Sequence, residues 1–141
     1  ISVGREIRDQ LNASGVIAHP DDERLSDVYG TIFTAPGSSG EPHHHRNVTV
    51  FADGEVDRSP CGSGTAARLA HLVLRGEFGP DDELRHESII GTTFTGRVVG
   101  ETTLHGRRAV LPEVTGTAYR VGSSEFTIDP RDDLVPGFVL R

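Results

Sequence analysis

Residues 57–74 read DRSPCGSGTAARLAHLVL, and their second part is the most helix-prone segment of the chain. From Gly62 to Leu74 alanine and leucine predominate, and apolar residues cover most sides of the predicted helix. Pro60 keeps the residue before it out of helical angles, and Gly76 is suited to a left-handed C-cap just after Arg75. We therefore expect a buried helix over Gly62–Leu74.

The segments before this helix predict a second helix and two strands. Val3, Ile7 and Leu11 recur at a four-residue spacing, which predicts an amphipathic helix from Ile1 to Leu11. Residues 28–35 are rich in β-branched and aromatic types and run into a Pro-Gly turn. Residues 47–51 alternate and precede Asp53-Gly54, so a hairpin with 55–57 as the returning strand is expected. A loop over 37–45 joins the two strands.

Short β-type runs separated by Gly, Pro and charged residues make up the rest of the chain. The predicted strands are 87–90, 93–99, 109–111, 113–120, 125–128 and 138–140. One apolar helix among many short strands predicts an α+β fold in which antiparallel strands wrap around a central buried helix.

Composition limits the protein to one domain with one site or part of one. The chain has 141 residues, 35% of them hydrophobic, and a net charge of -7. No basic run interleaved with aromatics is present, so nucleic acid is not an expected partner, and no apolar run or signal sequence predicts a membrane association. We expect a cytoplasmic protein. Because the chain starts at Ile1 and contains no Met, we interpret its start as a break in a longer protein.

The single cysteine, Cys61, lies at the predicted start of the buried helix. One cysteine cannot close an internal disulfide or build a multi-thiolate zinc site. At a helix N-terminus the first amides have no internal partner and the helix dipole favours negative charge, so a thiol ionises more readily there. Gly62 and Gly64 would let a ligand approach these amides closely. The predicted ligand is a carboxylate.

A base beside a carboxylate site is suited to removing the proton from the α-carbon of an amino acid. Inverting that carbon without a cofactor needs two such groups, one on each face: a thiolate removes the proton and an opposing thiol delivers another. Cys61 supplies one face only. On this interpretation the partner base is missing from this sequence.

The segment around Cys61 resembles a known family. Residues 46–65, RNVTVFADGEVDRSPCGSGT, are similar to the second catalytic motif of the proline racemases, whose usual form is DRSPCGTGT. Only Ser63 departs from that form, by a conservative change. The resemblance continues through residues 28–33, 86–97 and 113–119, and so covers nearly the whole chain.

The resemblance implies a site, a fold and a substrate class. Cys61 would be one of two acid–base thiols, the amides of Gly62 and Ser63 would hold the substrate carboxylate, and Asp57 would contact the ring nitrogen. No cofactor or metal is implied, and the substrate would be proline or 4-hydroxyproline. The family fold resembles diaminopimelate epimerase, with two similar domains. Residues 1–141 would be the C-terminal domain, since the motif that supplies the opposing base is absent.

Position 61 also bears on the type of reaction. Family members that dehydrate trans-3-hydroxyproline typically have Thr where this sequence has Cys61, so the resemblance favours racemisation or epimerisation over dehydration. The sequence does not discriminate between proline and hydroxyproline, and it leaves open whether the protein forms a homodimer.

Each of these site residues and motifs also has a simpler interpretation. A lone cysteine is commonly a small buried hydrophobe, and Asp57 could simply cap a turn. A phosphate site at the Gly-Ser-Gly-Thr run lacks the Lys of a P-loop. Adjacent histidines at 43–45 point to different sides of an extended segment, so solvation in a loop is expected rather than a metal site. Two other classes of protein remain: a non-catalytic carboxylate-binding module, and a cysteine hydrolase with a histidine partner.

Overall fold

A computed structural model of the chain describes residues 1–135 and 137 and contains two α-helices and five strands. Their bounds are α1 Ser2–Ala13, β1 Gly30–Pro36, β2 His44–Phe51, α2 Gly62–Leu74, β3 Leu84–Glu87, β4 Thr93–Leu104 and β5 Arg107–Thr115. The α+β class is confirmed. The predicted α2 has the observed bounds, and the predicted first helix matches α1 to within two residues.

The five strands form one mixed sheet in the order β1-β2-β3-β4-β5. Neighbouring strands are antiparallel except β2 and β3, which are parallel and pair through His44–Arg85, His45–His86 and Arg46–Glu87. Parallel neighbours need a crossover connection, and α2 lies in that connection. The topology therefore places the start of α2 just beyond the end of β2.

The core lies between one side of α2 and the sheet. It consists of Leu69, Leu72, Val73, Phe78 and Leu84, with Val98 and Val110 packed against it. The opposite side of α2, with Ala67, His71 and Leu74, is exposed. A central helix surrounded by strands is thus not confirmed within the described residues, where α2 packs on the sheet on one side only.

The end of α2 follows the prediction closely. Gly76 has φ +71°, its N–H donates to the Val73 carbonyl at 3.0 Å, and the Glu77 N–H donates to the Leu72 carbonyl at 2.9 Å. These two bonds are those of a Schellman motif, in which glycine takes the left-handed position.

The predicted hairpin at Asp53-Gly54 forms only in part. The turn is present, but the returning residues make one bridge, between Val50 and Val56, and no strand. Along its length β2 pairs with β1, and its first three residues also pair with β3. The turn sequence therefore predicted the reversal correctly and the strand partner wrongly.

Strand predictions in the second half of the chain are confirmed in part. Residues 93–99 lie in the longer β4, whereas the predicted strand 87–90 is wrong because β3 ends at Glu87 and a turn follows. The two runs 109–111 and 113–120 are one strand that ends at Thr115. Pro112 is tolerated there because β5 is an edge strand and needs no N–H donor on its outer side.

Residues 116–128 belong to no helix or strand, so the prediction of a strand at 125–128 is wrong. Tyr119, Val121 and Phe126 are almost fully exposed there, and alternating apolar residues form a strand only where a partner strand is available. The predicted strand 138–140 lies outside the described residues. Among the residues described, none of the helices has the length and apolar character needed to span a bilayer.

Candidate active site

The chain reaches α2 through two consecutive side-chain turns. The Ser59 N–H donates to Asp57 Oδ1 at 2.8 Å, and the Cys61 N–H donates to Ser59 Oγ at 3.0 Å. Asp and Ser commonly accept such bonds from the residue two positions on, and Pro60 between them offers no N–H of its own. Residues 57–61 are therefore held in one path that ends at the helix.

Cys61 is the N-cap of α2, as predicted. Its carbonyl accepts the first helical bond, from the Thr65 N–H at 2.8 Å, and its backbone has φ +64° and ψ +112°. A non-glycine residue at positive φ costs on the order of 1–3 kcal/mol and persists only where its surroundings enforce it. The thiol lies 3.6 Å from Ser63 Oγ and the residue is 6% exposed, so the sulfur is at the helix mouth but largely covered.

The amides next to the thiol are open. Gly62 and Ser63 are exposed, and none of residues 1–135 and 137 bonds to their N–H groups, which also have no partner within the helix. A Cβ built on Gly62 would meet nothing within 4 Å. An anion can therefore reach both donors, where the helix dipole favours negative charge.

Gly64 has a different role from the one expected. A Cβ at this position would collide with the δ-methyl of Ile32 and would lie 3.2 Å from the Cys61 sulfur. The residue is buried. The requirement for glycine here comes from the packing of β1 and the thiol onto the helix rather than from the approach of a ligand.

Three buried polar side chains support this segment from behind, and the sequence interpretation assigned no role in the site to any of them. Asn47 Nδ2 donates to the Pro60 carbonyl at 3.0 Å and lies 3.4 Å from the Glu87 carbonyl. Thr65 Oγ1 donates to the Cys61 carbonyl at 2.7 Å and lies 2.8 Å from His86 Nδ1. Asn47 and Thr65 both lie in the motif 46–65.

An open cleft of about 850 Å³ lies beside the segment. Its lining consists of Phe51, residues 56–60, Ile90, residues 92–94, Thr117 and Tyr119. Of the predicted site residues, Asp57 lines this cleft; Cys61, Gly62 and Ser63 follow Pro60 and lie beyond the lining residues. Asp57 and Arg58 place one negative and one positive charge in an otherwise apolar and hydroxyl-bearing cleft.

The three adjacent histidines diverge. His43 stacks edge-on against Phe78, His44 Nδ1 lies 2.6 Å from Ser39 Oγ, and His45 Nε2 lies 3.1 Å from the Pro42 carbonyl. Among the described residues no three His, Cys, Asp or Glu side chains are grouped as metal ligands.

The expectation that these histidines are loop residues in solvent is wrong for His44, which starts β2 and is 1% exposed. His45 is half-buried, and burial, followed by the Arg68 charge, lowers the pKa of its imidazole. His71, which lies on the helix that was expected to be buried, is exposed.

Comparison with known proteins gives a consistent family. The family model described as "Proline racemase" matches residues 1–139. The chain is 44% identical over 142 residues to a trans-3-hydroxy-L-proline dehydratase of Burkholderia cenocepacia and, over the same length, to a 3-hydroxyproline 2-epimerase of Burkholderia multivorans; each match covers 100% of the chain.

A solved structure shares the fold. The hydroxyproline epimerase of Agrobacterium vitis, crystallised with bound trans-4-hydroxy-L-proline, is 37% identical to the chain, with a TM-score of 0.79 over 99% of it. The match takes in 40% of that protein, and 42% of each Burkholderia relative. The chain thus spans about two fifths of the length of the relatives it matches.

Proposed function

Because this chain belongs to the proline racemase family, we propose that it is the C-terminal domain, residues 1–141, of a two-domain amino-acid racemase or epimerase. The reaction proposed is inversion of the α-carbon of proline or 4-hydroxyproline without a cofactor. Cys61 is the base on one face, and the domain that precedes this one supplies the base on the other. Alone, the chain is expected to turn over substrate weakly or not at all.

One observation carries the proposal: a thiol and two open amides converge at the mouth of α2. Cys61 is the N-cap, and the N–H groups of Gly62 and Ser63 lack partners among the described residues. A carboxylate bound by these amides places its α-carbon beside the sulfur. As the α-proton leaves, negative charge moves onto the carboxylate oxygens, and fixed N–H donors stabilise that charge without rearrangement.

The proposed reaction balances with two thiols. The Cys61 thiolate takes the α-proton and becomes a thiol, and the electron pair of the broken C–H bond delocalises into the carboxylate. The opposing acid then protonates the α-carbon from the other face and becomes the conjugate base. No net proton, electron or atom is consumed, which is consistent with a reaction that needs no cofactor.

Asp57 is proposed to bind the substrate's ring nitrogen. Its Oδ1 is occupied by the Ser59 N–H, whereas Oδ2 has no hydrogen-bond donor among residues 1–135 and 137. The side chain lines the cleft next to the helix mouth. A cationic secondary amine there would pair with the carboxylate while the amides hold the substrate's acid group. The trans-4-hydroxy-L-proline bound to the similar A. vitis epimerase supports a ligand of this class.

The arrangement proposed for the whole protein is that of a diaminopimelate epimerase. The exposed side of α2, where Leu74 is 69% exposed, is proposed to be covered in the full-length polypeptide. Burial of such an apolar side chain stabilises by roughly 1.5–3 kcal/mol.

Isotope exchange tests the proposal. The full-length polypeptide containing this chain is incubated in D₂O with L-proline or trans-4-hydroxy-L-proline, and deuterium at the α-carbon and the opposite stereoisomer are followed by NMR and chiral chromatography. We expect both products from the unaltered protein and no opposite stereoisomer from Cys61→Ala, in which the opposing base can still exchange the α-proton on its own face. Substrate affinity of Cys61→Ser, measured by calorimetry, should change little.

Three results would overturn the proposal. Formation of the opposite stereoisomer by Cys61→Ala would remove the thiol from the mechanism. A covalent adduct on Cys61 without α-proton exchange would favour a cysteine hydrolase or transferase. Binding without any exchange in the unaltered protein would leave a carboxylate-binding module.

Dehydration of trans-3-hydroxyproline is the second candidate, because several relatives 42–44% identical to the chain are named as trans-3-hydroxy-L-proline dehydratases. That reaction removes the α-proton and expels the 3-hydroxyl as water, leaving a cyclic imine acid. The same exchange experiment with trans-3-hydroxy-L-proline separates the two reactions: dehydration yields the imine, and epimerisation yields a stereoisomer.

A further inference from the structure

The strained backbone of Cys61 is fixed at its carbonyl by one side chain. The amide side is held by Ser59 Oγ, and the carbonyl side accepts both the N–H and the hydroxyl of Thr65, at 2.8 and 2.7 Å. Thr65 is fully buried. A backbone at positive φ relaxes unless such contacts enforce it, so the hydroxyl of Thr65 is part of what sets the direction of the thiol.

The single proton of that hydroxyl fixes the tautomer of His86. A carbonyl can only accept, so the contact with Cys61 uses the Thr65 proton, and the oxygen must accept from its other partner. That partner is His86 Nδ1, 2.8 Å away. Nδ1 therefore carries the hydrogen and Nε2 is a bare acceptor, which is buried and without a donor among the described residues.

From this geometry we infer that Thr65 and His86 are positioning residues: a relay from His86 Nδ1–H through the Thr65 hydroxyl to the Cys61 carbonyl holds the thiol in its reactive orientation. The inference rests on the proposed function for what the thiol does, but not for how it is held. Neither side chain touches the substrate position at the open amides.

The environment of His86 keeps the relay in one state. The imidazole is fully buried, and burial, with the charges of His45 and Arg68, lowers its pKa to about 4. The ring is neutral at physiological pH and remains the Nδ1–H donor. Successive hydrogen bonds of this kind polarise one another, which strengthens the bond to the Cys61 carbonyl.

Thr65→Val and Thr65→Ser test the relay in the full-length polypeptide. Val has the shape of Thr without the hydroxyl, and Ser keeps the hydroxyl. Because Cys61 is only 6% exposed, release of the N-cap should let iodoacetamide alkylate Cys61 at least about fivefold faster in Thr65→Val, as read by peptide mass spectrometry. Thr65→Ser should stay within about twofold of the unaltered rate.

Turnover gives the second measurement. A misdirected base slows the chemical step more than binding, so Thr65→Val should lower kcat at least about tenfold with KM within about threefold, and Thr65→Ser should restore kcat. The matched control is Thr49→Val, which removes another buried hydroxyl, one without a hydrogen-bond partner in the described part of the chain. It should leave both measurements unchanged.

His86 variants decide the matter should Thr65→Val fail to fold. His86→Asn offers an amide N–H near the place of Nδ1–H, and His86→Leu offers none. Faster alkylation in His86→Leu than in His86→Asn supports the relay. Equal rates in the two, or equal effects of Thr65→Val and Thr65→Ser, overturn it. If the unaltered protein catalyses no α-proton exchange while the alkylation pattern holds, the proposed function fails and the positioning role stands.

Discussion

The δ-methyl group of Ile32 fills the space that a side chain at Gly64 would need, and the Cys61 sulfur lies 3.2 Å from the same point. Strand β1 thus packs directly against the first turn of α2. The contact joins the edge of the sheet to the residue that carries the thiol, so a change of volume at position 64 acts on both.

Gly64→Ala is expected to destabilise the protein by about 1–3 kcal/mol, although alanine is the better helix former. The added methyl group overpacks a filled site, and Ile32 and Cys61 must both shift. Urea unfolding followed by circular dichroism measures the change in the free energy of unfolding.

Gly62→Ala is the control for that experiment, because a Cβ there meets nothing within 4 Å. It should be neutral or stabilise by up to about 1 kcal/mol. In an Ile32→Ala background the cost of Gly64→Ala should shrink, since the two residues compete for one space. A cost that is unchanged in the double variant would show that Ile32 is not the cause.

Local signals explain why α2 could be predicted to the residue. Pro60 at one end and Gly76 at the other act through the backbone of their own neighbours, and Gly76 takes the left-handed angle that its position requires. The strands were predicted less well, because the residues at which a strand begins and ends depend on neighbouring strands that are distant in sequence. Residues 125–128 alternate as a strand does, yet the described chain places no strand beside them.

The same distinction applies to the site. Cys61 and the amides after it follow from one helix start and were found from sequence. The side chains that support the site were not found from the sequence. Thr65 contacts His86, which is 21 residues away in the chain, and Asn47 contacts Glu87, which is 40 residues away. No periodicity in the sequence predicts such pairs, which arise from the parallel pairing of β2 and β3 around α2.

His86 predicts a pH dependence of stability. Its pKa is about 4 in the folded protein because of burial, against about 6.5 in the unfolded chain. Below pH 6.5 the unfolded state therefore binds a proton that the folded state does not. The free energy of unfolding should fall by on the order of 2 kcal/mol between pH 7 and pH 4.5, as measured by urea unfolding across this range.

The His86→Asn variant should lose that part of the pH dependence, because its side chain does not titrate. His71→Asn removes an exposed histidine from α2 and should keep the unaltered slope. A His86→Asn protein with the same slope as the unaltered protein would mean that other groups cause it.

Asn47→Asp tests the support behind Pro60. Asn47 is 3% exposed, and its amide N–H groups face the carbonyls of Pro60 and Glu87. A carboxylate there would have no proton to donate, so we expect the free energy of unfolding to fall by on the order of 3 kcal/mol at pH 7. At pH 4.5 a protonated Asp donates again, and the loss should be smaller.

The control is Asn12→Asp. Asn12 exchanges hydrogen bonds with both backbone groups of Val28, and its oxygen accepts at 2.7 Å, a role that Asp retains. Asn12→Asp should lower the free energy of unfolding by about 1 kcal/mol. Unfolding free energies of both variants at the two pH values decide the matter, and an Asn47→Asp loss that does not depend on pH would contradict the account.

Asp57 has two possible roles that one substitution separates. As a turn cap it needs an oxygen to accept the Ser59 N–H, and asparagine keeps that oxygen; as a ligand for the substrate's cationic ring nitrogen it needs its charge. In the full-length polypeptide Asp57→Asn should leave stability within about 0.5 kcal/mol while weakening proline binding at least about tenfold. Calorimetric titration measures the affinity.

Asp53→Asn, in the exposed turn nearby, should alter neither quantity. If Asp57→Asn binds proline as tightly as the unaltered protein, Asp57 serves only to cap the turn. Substrate recognition would then depend on the amides of Gly62 and Ser63.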